Sequence, residues 1–271
     1  MADVCVITGG GSGMGLAAAK QMPKDKIIIV SGRTLMKLEK AVEELKANGQ
    51  EAYACTCDTS DRDSVRKLAE FTLSKGTVRN VINAAGMSPN MAEPEKLIRV
   101  NALGTVYVNQ EFYKVMDKGS VILDISSNSA YALPGFLISE KTYRLAETDE
   151  EKFVKKLVKK SNLPKDTYKK SGLAYAFSKN FVVWYAKKCA FDYGRKGIRV
   201  CSLSPGLIAT DMGKLEEKEG GALLKYCAER RMGTPEELGF AIATVADERN
   251  GYLAGVDVLV DGGSTNGKKM G

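Results

Sequence analysis

The sequence predicts an α/β fold, in which a parallel sheet is doubly wound by helices on both of its faces. Short apolar runs with the length of strands alternate with longer segments of helical apolar spacing along the chain. The first run meets a glycine-rich turn and then a helix, as at the start of a βαβ unit. No linker and no repeat divides the 271 residues. We therefore expect a single domain over 1–271, with ligands bound at the carboxyl ends of the strands.

Seven apolar runs are predicted as strands. They are Asp3–Thr8, Lys26–Val30, Glu51–Cys57, Val78–Ile82, Gly119–Ser126, Ile198–Leu203 and Val256–Val260. Apolar residues at helical spacing predict helices at Leu35–Ala47, Pro94–Met116 and Ser171–Lys188. Another helix begins at Thr234, a capping threonine that precedes a proline and two glutamates. The polar stretch before it, Asp211–Arg231, is predicted to form a mobile lid.

Composition limits the class of protein. The chain has six scattered cysteines, no CxxC and no histidine, which excludes a Ser-His-Asp or Cys-His hydrolase and argues against a zinc site. We expect free, buried thiols, as in a reducing compartment. The formal charge of +7 is concentrated between Glu151 and Lys170, where eight lysines accompany two acids. Because no basic stripe or nucleic-acid motif occurs elsewhere, nucleic acid is not expected as a partner.

The ends and the apolar runs of the chain predict its location. No apolar run approaches the ~20 residues that a membrane span needs. The first strand begins at Asp3, which leaves no room for a signal peptide. We therefore predict a cytoplasmic protein without a membrane partner.

Tyr175 and Lys179 are the best candidates for acid–base chemistry in a chain without histidine. They are four residues apart on a predicted helix, so their side chains lie on one face. An adjacent ammonium favours the phenolate and lowers the pKa of a phenol from its ordinary value of about 10. Of the eleven tyrosines, only Tyr175 has a lysine four residues on. The pair alone also fits a surface lysine stacked beside a tyrosine at the edge of the core.

A cofactor site is predicted at the ends of the first four strands. The turn Gly9–Gly15 lets the backbone approach a pyrophosphate at a helix N-terminus, although its spacing is Gly-x-x-x-Gly-x-Gly rather than Gly-x-Gly-x-x-Gly. Arg33 stands where an acid would hold the 2′-hydroxyl of NAD, which favours the 2′-phosphate of NADP. Asp58 either accepts a hydrogen bond from an adenine amino group or caps a helix near Ser60. The small residues of Asn83–Gly86 let the backbone pass close to a ligand.

The order of these motifs resembles the short-chain dehydrogenase/reductase family over nearly the whole chain. The matching motifs are Thr8-Gly9-x-x-x-Gly13-x-Gly15, Asn83-Ala84-Ala85-Gly86, Asn101, Ser127, Tyr175-x-x-x-Lys179, Pro205-Gly206 and Val258-Leu-Val-Asp261-Gly-Gly263. The resemblance implies a Rossmann-type, seven-stranded sheet and an oxidoreductase. It implies that Tyr175 donates or accepts the proton and that Ser127 hydrogen-bonds the substrate oxygen. It also implies that Lys179 tunes the tyrosine and binds the nicotinamide ribose, while Asn101 holds a water that links Lys179 to solvent.

The resemblance extends to the residues around the cofactor and the substrate. Cofactor contacts are expected from Thr8, Gly9, Gly11, Ser12, Gly13, Met14, Gly15, Arg33, Asp58, Asn83, Ala84, Gly86, Tyr175, Lys179, Pro205, Gly206, Ile208 and Thr210. Substrate contacts are expected from Met87, Ser127, Ser129, Tyr131, Leu133 and Met212. Asp124 stands where the family often has Asn, and Ala84 replaces a second Asn. Neither departure removes a catalytic atom.

The larger departure is the distance from Ser127 to Tyr175, which are 48 residues apart and much closer in most of the family. We expect residues 131–170 to form a helical flap near the active site. Thr148-x-x-Glu151 is its predicted capping box, and Phe153, Val154, Leu157 and Val158 form its apolar stripe. Such an insertion resembles that of bacterial hydroxysteroid dehydrogenases and carbonyl reductases in the family. An oligomer contact or a solvated lysine face explains the segment equally well.

These expectations favour an NADP(H)-dependent oxidoreductase that interconverts a secondary alcohol and a ketone, with a hydroxysteroid such as a bile acid as substrate. A 3-ketoacyl thioester reductase, whose acidic carrier would meet the lysines, and a sugar or polyol dehydrogenase are the enzymatic alternatives. A non-catalytic NADP-binding sensor is the alternative from another class. The resemblance also predicts a homo-oligomer, a tetramer or a dimer, with the helices after strands four and five at its interfaces.

Overall fold

A seven-stranded parallel sheet lies at the centre of the molecule. The computed structural model describes residues 1–210 and 221–270, apart from the side chains of residues 222 and 223. Within that part of the chain the strand order is β3-β2-β1-β4-β5-β6-β7, and every neighbouring pair is parallel. The strands are β1 Asp3–Thr8, β2 Ile27–Gly32, β3 Glu51–Thr56, β4 Thr77–Asn83, β5 Val121–Ile125, β6 Arg199–Pro205 and β7 Asp257–Val260. The predicted doubly wound α/β fold is confirmed.

Helices cover both faces of the sheet. They are α1 Gly13–Gln21, α2 Leu35–Ala47, α3 Arg62–Lys75, α4 Pro94–Ile98, α5 Gly104–Val115, α6 Glu140–Tyr143, α7 Glu150–Ser161, α8 Thr167–Gly194, α9 Pro235–Ala246 and α10 Ser264–Met270. Successive side chains of a strand point to opposite faces. Val4 and Val6 therefore join the core shared with α3, α5 and α8, whereas Cys5 and Ile7 join the core shared with α1, α2 and α9.

Two helices differ from their predicted bounds. The predicted helix Pro94–Met116 is interrupted by a π-helical turn, Arg99–Leu103, between α4 and α5. The Gly104 N–H donates to the carbonyl of Arg99, five residues back, and this extra residue in the turn has no signature in the apolar spacing. Helix α8 begins at Thr167 rather than at Ser171, because the Asp166 side chain accepts from the Lys169 N–H as its cap.

Within residues 131–170, α7 packs one apolar side into the core. On α7, Phe153, Val154 and Leu157 are all at most 3% exposed. The Phe153 ring lies 4.9 Å from the ring of Phe181 on α8. The predicted capping box is wrong: the cap of α7 is Asp149, whose carboxylate accepts from the Lys152 N–H at 3.0 Å.

Ion pairs fix the first turn of α7 to neighbouring helices. Arg99 makes two hydrogen bonds to the Glu151 carboxylate, at 2.9 and 2.8 Å. Arg62 at the start of α3 reaches Glu150 at 3.2 Å. The apolar stripe and these pairs make α7 a part of the core beside α4 and α8.

Three further observations concern helix apolarity, cysteines and clusters of acidic or thiol side chains in the described residues. Over 1–210 and 221–270, no helix combines the length and apolarity that crossing a membrane requires. Cys5, Cys57, Cys189, Cys201 and Cys227 are buried, and Cys55 is half-buried. No cluster of three or more carboxylate or thiol side chains in the same ranges is placed to hold a metal ion.

Candidate active site

Tyr175 and Lys179 lie on one face of α8 at the carboxyl end of β5. The Lys179 Nζ is 5.8 Å from the centroid of the Tyr175 ring. Lys179 is only 6% exposed, and its ammonium donates to the carbonyl of Ile125, the last residue of β5, at 2.9 Å. Ser126 fixes the helix to the same strand end, because its hydroxyl donates to the carbonyl of Lys179 at 2.8 Å. A buried ammonium is thus held beside the phenol.

Asn101 lies in the π-helical turn and is buried next to this pair. Its Oδ1 accepts from the Met87 N–H at 2.8 Å, and its Nδ2 donates to the Met87 carbonyl at 3.0 Å. A Cβ on Gly86 would lie 3.3 Å from Asn101 Oδ1 and 3.4 Å from Lys179 Nζ. The absent side chain of Gly86 therefore leaves a gap shared by the amide and the ammonium.

Ser127 and Ser129 form a pair of hydroxyls directly after β5. Their Oγ atoms are 2.8 Å apart, and Ser127 Oγ also accepts from the Ser129 N–H at 3.2 Å. Both serines, Tyr175 and Lys179 line one cleft of about 320 Å³. The cleft brings a buried cation, a phenol and two hydroxyls to one space at the carboxyl edge of the sheet.

The glycine-rich turn has a backbone that side chains would obstruct. Gly9 and Gly13 have φ angles of +68° and +56°, in the left-handed region that favours glycine. A Cβ on Gly15 would lie 2.4 Å from the carbonyl oxygen of Gly9, and one on Gly9 would lie 2.8 Å from that of Ala84. The turn can therefore come close to a phosphate at the N-terminus of α1.

Thr8 and Asn83 connect this turn to the neighbouring strand ends. Thr8 Oγ1 donates to Asn83 Oδ1 at 2.8 Å and accepts from the Ala85 N–H at 3.1 Å. Asn83 Nδ2 donates to Asp124 Oδ1 at 3.0 Å. The polar ends of β1, β4 and β5 thus form one buried network behind the cleft.

A second cavity, of about 150 Å³, lies at the ends of β1, β2 and β3. Thr8, Gly9, Arg33 and Asp58 are among the residues that line it. Asp58 Oδ1 accepts from the N–H and the hydroxyl of Ser60, at 2.9 and 2.6 Å. Burial raises the pKa of Asp58, but the Ser60 bonds and the Arg33 charge outweigh it and hold the pKa below its usual value. The carboxylate caps the Ser60 turn, while α3 itself is capped by Asp61.

Comparison with known proteins places these motifs in one family. The family model described as short chain dehydrogenase matches residues 3–138, which is half of the chain. The chain belongs to the short-chain dehydrogenase family. A second model, described as Enoyl-(Acyl carrier protein) reductase, matches residues 156–265. A short-chain dehydrogenase is an oxidoreductase that uses a nicotinamide cofactor, and the glycine turn described above fits the pyrophosphate of such a dinucleotide.

The relatives of this short-chain dehydrogenase span almost its whole length. A 7alpha-hydroxysteroid dehydrogenase of Escherichia coli (strain K12) is 26% identical over 95% of this chain and 92% of that protein. Glucose 1-dehydrogenase 2 of Bacillus subtilis (strain 168) is 25% identical over 96% and 93%. A solved short chain dehydrogenase from Burkholderia cenocepacia J2315, in complex with NADP, has a TM-score of 0.75 at 20% identity and covers 97% of each chain. That structure shares the fold.

The cleft of this short-chain dehydrogenase contains only part of the expected substrate contacts. Met87, Ser127 and Ser129 line it. Tyr131 and Leu133 are not among its lining residues: the Tyr131 hydroxyl donates to the Asp257 carboxylate, and Leu133 packs against the core. Met212 lies outside the described residues, as does part of the predicted lid.

Most of the expected cofactor residues lie at one of these two cavities or in the turn between them. Met14, Ala84, Gly86, Pro205, Gly206, Ile208 and Thr210 line the larger cleft. The interior of the turn, Gly11–Gly15, precedes and begins α1. Asn83 stands behind the cleft, where its side chain contacts Thr8 and Asp124.

Sequence reasoning missed the wall of the cleft that the first turns of α8 provide. Tyr168, Gly172 and Ala176 line the cleft beside Tyr175 and Lys179. Gly172 and Ala176 lie within the predicted helix Ser171–Lys188, where helical spacing puts them on the face of Tyr175 and Lys179. Tyr168 precedes the predicted start, and the earlier start of α8 at Thr167 adds it to the same face.

Proposed function

We propose that the chain is an NADP(H)-dependent oxidoreductase that interconverts a secondary alcohol and a ketone, with a hydroxysteroid such as a bile acid as its favoured substrate. The observation that carries the proposal is the cleft itself, which Ser127, Tyr175 and Lys179 line together. Ketone reduction needs a hydride on carbon and a proton on oxygen. A phenol beside a buried ammonium provides the proton.

Each residue has a distinct part in this mechanism. The substrate oxygen accepts hydrogen bonds from Tyr175 and Ser127, and the Tyr175 hydroxyl transfers its proton to that oxygen. The Lys179 ammonium stabilises the phenolate that remains. The Asn101 amide borders the gap at Gly86. We expect it to hold a water there that connects Lys179 to solvent. The nicotinamide, when bound, supplies or accepts the hydride.

Arg33 supports the choice of NADP over NAD. It lines the smaller cavity with Gly32 and Asp58, at the end of β2, where a dinucleotide places its adenosine ribose. A guanidinium there pairs with a 2′-phosphate in a fixed, planar geometry. The Asp58 carboxylate accepts two hydrogen bonds from Ser60, which lies in the same loop.

Apolar walls support a steroid in preference to a sugar. Met87, Ala132, Ala176 and Leu207 contribute apolar surface to the cleft, and any hydroxyl of a polyol that faces this surface would be left unpaired. The exposed lysines of α7 and of the segment after it can attract a distant carboxylate of the substrate. The names of the relatives include a hydroxysteroid dehydrogenase and a glucose dehydrogenase. The apolar residues of the cleft, rather than these names, therefore favour the steroid.

Reduction of a 3-ketoacyl thioester is a second candidate. The family model over residues 156–265 bears the name of an enoyl-(acyl carrier protein) reductase, which refers to a carrier-bound acyl chain, and the exposed lysines of α7 would suit an acidic carrier. In that case added salt would sharply weaken turnover of a carrier-bound substrate. Salt-insensitive kinetics with the carrier-bound ketone would exclude this candidate.

A panel of substrates tests the proposal. NADPH and NADH oxidation are followed with a ketosteroid, a sugar ketone and a 3-ketoacyl thioester at equal concentrations. We expect the highest kcat/KM with the ketosteroid and NADPH. Turnover confined to sugars, polyols or acyl thioesters would contradict the steroid assignment, and a preference for NADH would contradict the role of Arg33.

A further inference from the structure

Asp124 is a buried carboxyl that the proposed mechanism does not use. It lies in β5, is 0% exposed, and its partners are neutral amides. Oδ1 accepts from Asn83 Nδ2 at 3.0 Å, and Oδ2 accepts from Asn109 Nδ2 at 2.8 Å. A charge without a directly bonded cation is costly at such a site.

Asn109 can hydrogen-bond the Asp124 carboxyl whether that carboxyl is charged or protonated. The Asn109 side chain is fully buried, and its Oδ1 has no hydrogen-bond partner. A half-turn of the amide would place that oxygen against Asp124 Oδ2, where only a protonated carboxyl can donate to it. Asp124 Oδ2 therefore has a hydrogen-bond partner on Asn109 in either protonation state: the carboxylate accepts from Nδ2, and the carboxylic acid donates to Oδ1.

Asp124 is adjacent in sequence to a residue that contacts the proposed catalytic lysine. Asp124 precedes Ile125, whose carbonyl accepts from the Lys179 ammonium. We propose that Asp124 is a positioning residue whose proton sets the charge behind Lys179 and thereby the ease with which Tyr175 loses its own proton. This inference rests on the proposed function and adds to it a control of the pH range in which the site works.

The surroundings make Asp124 titrate close to neutrality. Burial raises its pKa to about 7, although the bonds from Asn109 and Asn83 and the charge of Lys179 act in the opposite direction. Two other titratable groups, both on α8, interact with it and stay neutral. Burial raises the pKa of Cys189 to about 12 and lifts that of Tyr193 well above its ordinary value. The partner across β6 is the neutral Ser202.

The matched variant is Asp124→Asn, because its side-chain amide can donate to Asn109 Oδ1 as the carboxylic acid would. With the negative charge removed, the phenolate of Tyr175 becomes easier to form. The phenolate absorbance of each protein, minus that of the same protein carrying Tyr175→Phe, is titrated without substrate. We expect the midpoint to fall by roughly half a pH unit or more in Asp124→Asn. Asp192→Asn, an exposed change on α8, is the control. Equal midpoints for Asp124→Asn and the wild type would overturn the proposal.

Thermal unfolding separates titration from a merely structural role. The folded-state pKa of Asp124 is raised, so this group makes the wild type less stable as pH rises from about 4 to about 7, with no further loss above. The unfolding midpoint of Asp124→Asn relative to wild type should rise by on the order of 5 °C between pH 5 and pH 8. A difference that is constant with pH would mean that Asp124 does not titrate and would overturn the inference.

Activity provides the third comparison. The pH profile of alcohol oxidation should shift to lower pH in Asp124→Asn, and superimposable profiles would count against the positioning role. If the wild type reduces or oxidises none of the substrates tested, the proposed function fails. The phenolate titration and the unfolding series still decide the inference in that case, because neither needs turnover.

Discussion

Lys179 is the residue on which the proposed chemistry of the cleft depends. It is held by a backbone carbonyl and lies beside the ring of Tyr175. The Ile125 carbonyl fixes the position of the ammonium, whose Nζ is 5.8 Å from the centroid of the Tyr175 ring. In the proposed mechanism, this arrangement lets Tyr175 take the acid–base role that a histidine has in other enzymes.

Lys179→Met keeps the length of the side chain and removes the charge. We expect kcat for ketone reduction at neutral pH to fall roughly 100-fold or more, in line with the contribution of a tuned acid–base group. Lys187→Met, an exposed change on the same helix, is the control and should leave the rate unchanged. Steady-state kinetics measure both, and equal rates for Lys179→Met and the wild type would contradict the account.

Arg33 is the second residue whose role a single change tests. Arg33→Asp replaces a donor to a phosphate by a group that repels it and that can accept from a ribose hydroxyl. The ratio of kcat/KM for NADPH to that for NADH should fall by roughly 10- to 100-fold, as expected for a hydrogen bond to a charged group. Arg195→Asp, exposed beyond the end of α8, should keep the original ratio. Retained NADP selectivity in Arg33→Asp would contradict the assignment.

Helix α7 is the part of residues 131–170 that differs most from the predicted flap, because its apolar side lies in the core. Its apolar stripe is buried against α8, and its acidic first turn pairs with Arg62 and Arg99. It therefore supports the helix that carries the proposed catalytic tyrosine. Near the end of residues 131–170, Tyr168 lines the cleft. Contacts with a substrate are therefore expected from the ends of this segment rather than from α7.

Phe153→Ala tests this structural part of α7. The ring is fully buried and contacts Phe181, so the free energy of unfolding should decrease by about 3–5 kcal/mol. Lys156→Ala, on the exposed face of the same helix, should change it by less than about 0.5 kcal/mol. Urea unfolding of the two variants gives the comparison, and similar small effects would mean that α7 is not part of the core.

At the scale of the whole molecule, association with further copies remains a prediction. The resemblance places the interface on the helices after β4 and β5, and Phe191 on α8 is an apolar side chain with 81% exposure. We predict that the chain sediments as a dimer or tetramer and that Phe191→Asp lowers its mass. Asp192→Asn, beside it, should retain the wild-type mass. A wild type that sediments as a monomer would contradict the prediction.

The sequence determined the architecture well because the signals for it are local. Alternating apolar runs and glycine turns specify each βα unit, and right-handed crossovers then determine on which face of the parallel sheet each connecting helix lies. Tyr175 and Lys179 could be paired from helical spacing alone. The π-helical turn at Asn101 could not be predicted, because one extra residue in a turn depends on tertiary contacts. The same holds for Tyr131, whose bond to Asp257 joins residues 126 positions apart.

The claim that Tyr175 transfers the proton in ketone reduction is tested most directly by one substitution. NADPH oxidation in the presence of the best ketone is measured for the wild type, for Tyr175→Phe and for the exposed Tyr252→Phe. We predict that Tyr175→Phe loses at least roughly 100-fold in kcat while still binding NADPH, and that Tyr252→Phe matches the wild type. Undiminished ketone-dependent NADPH oxidation by Tyr175→Phe would contradict the account.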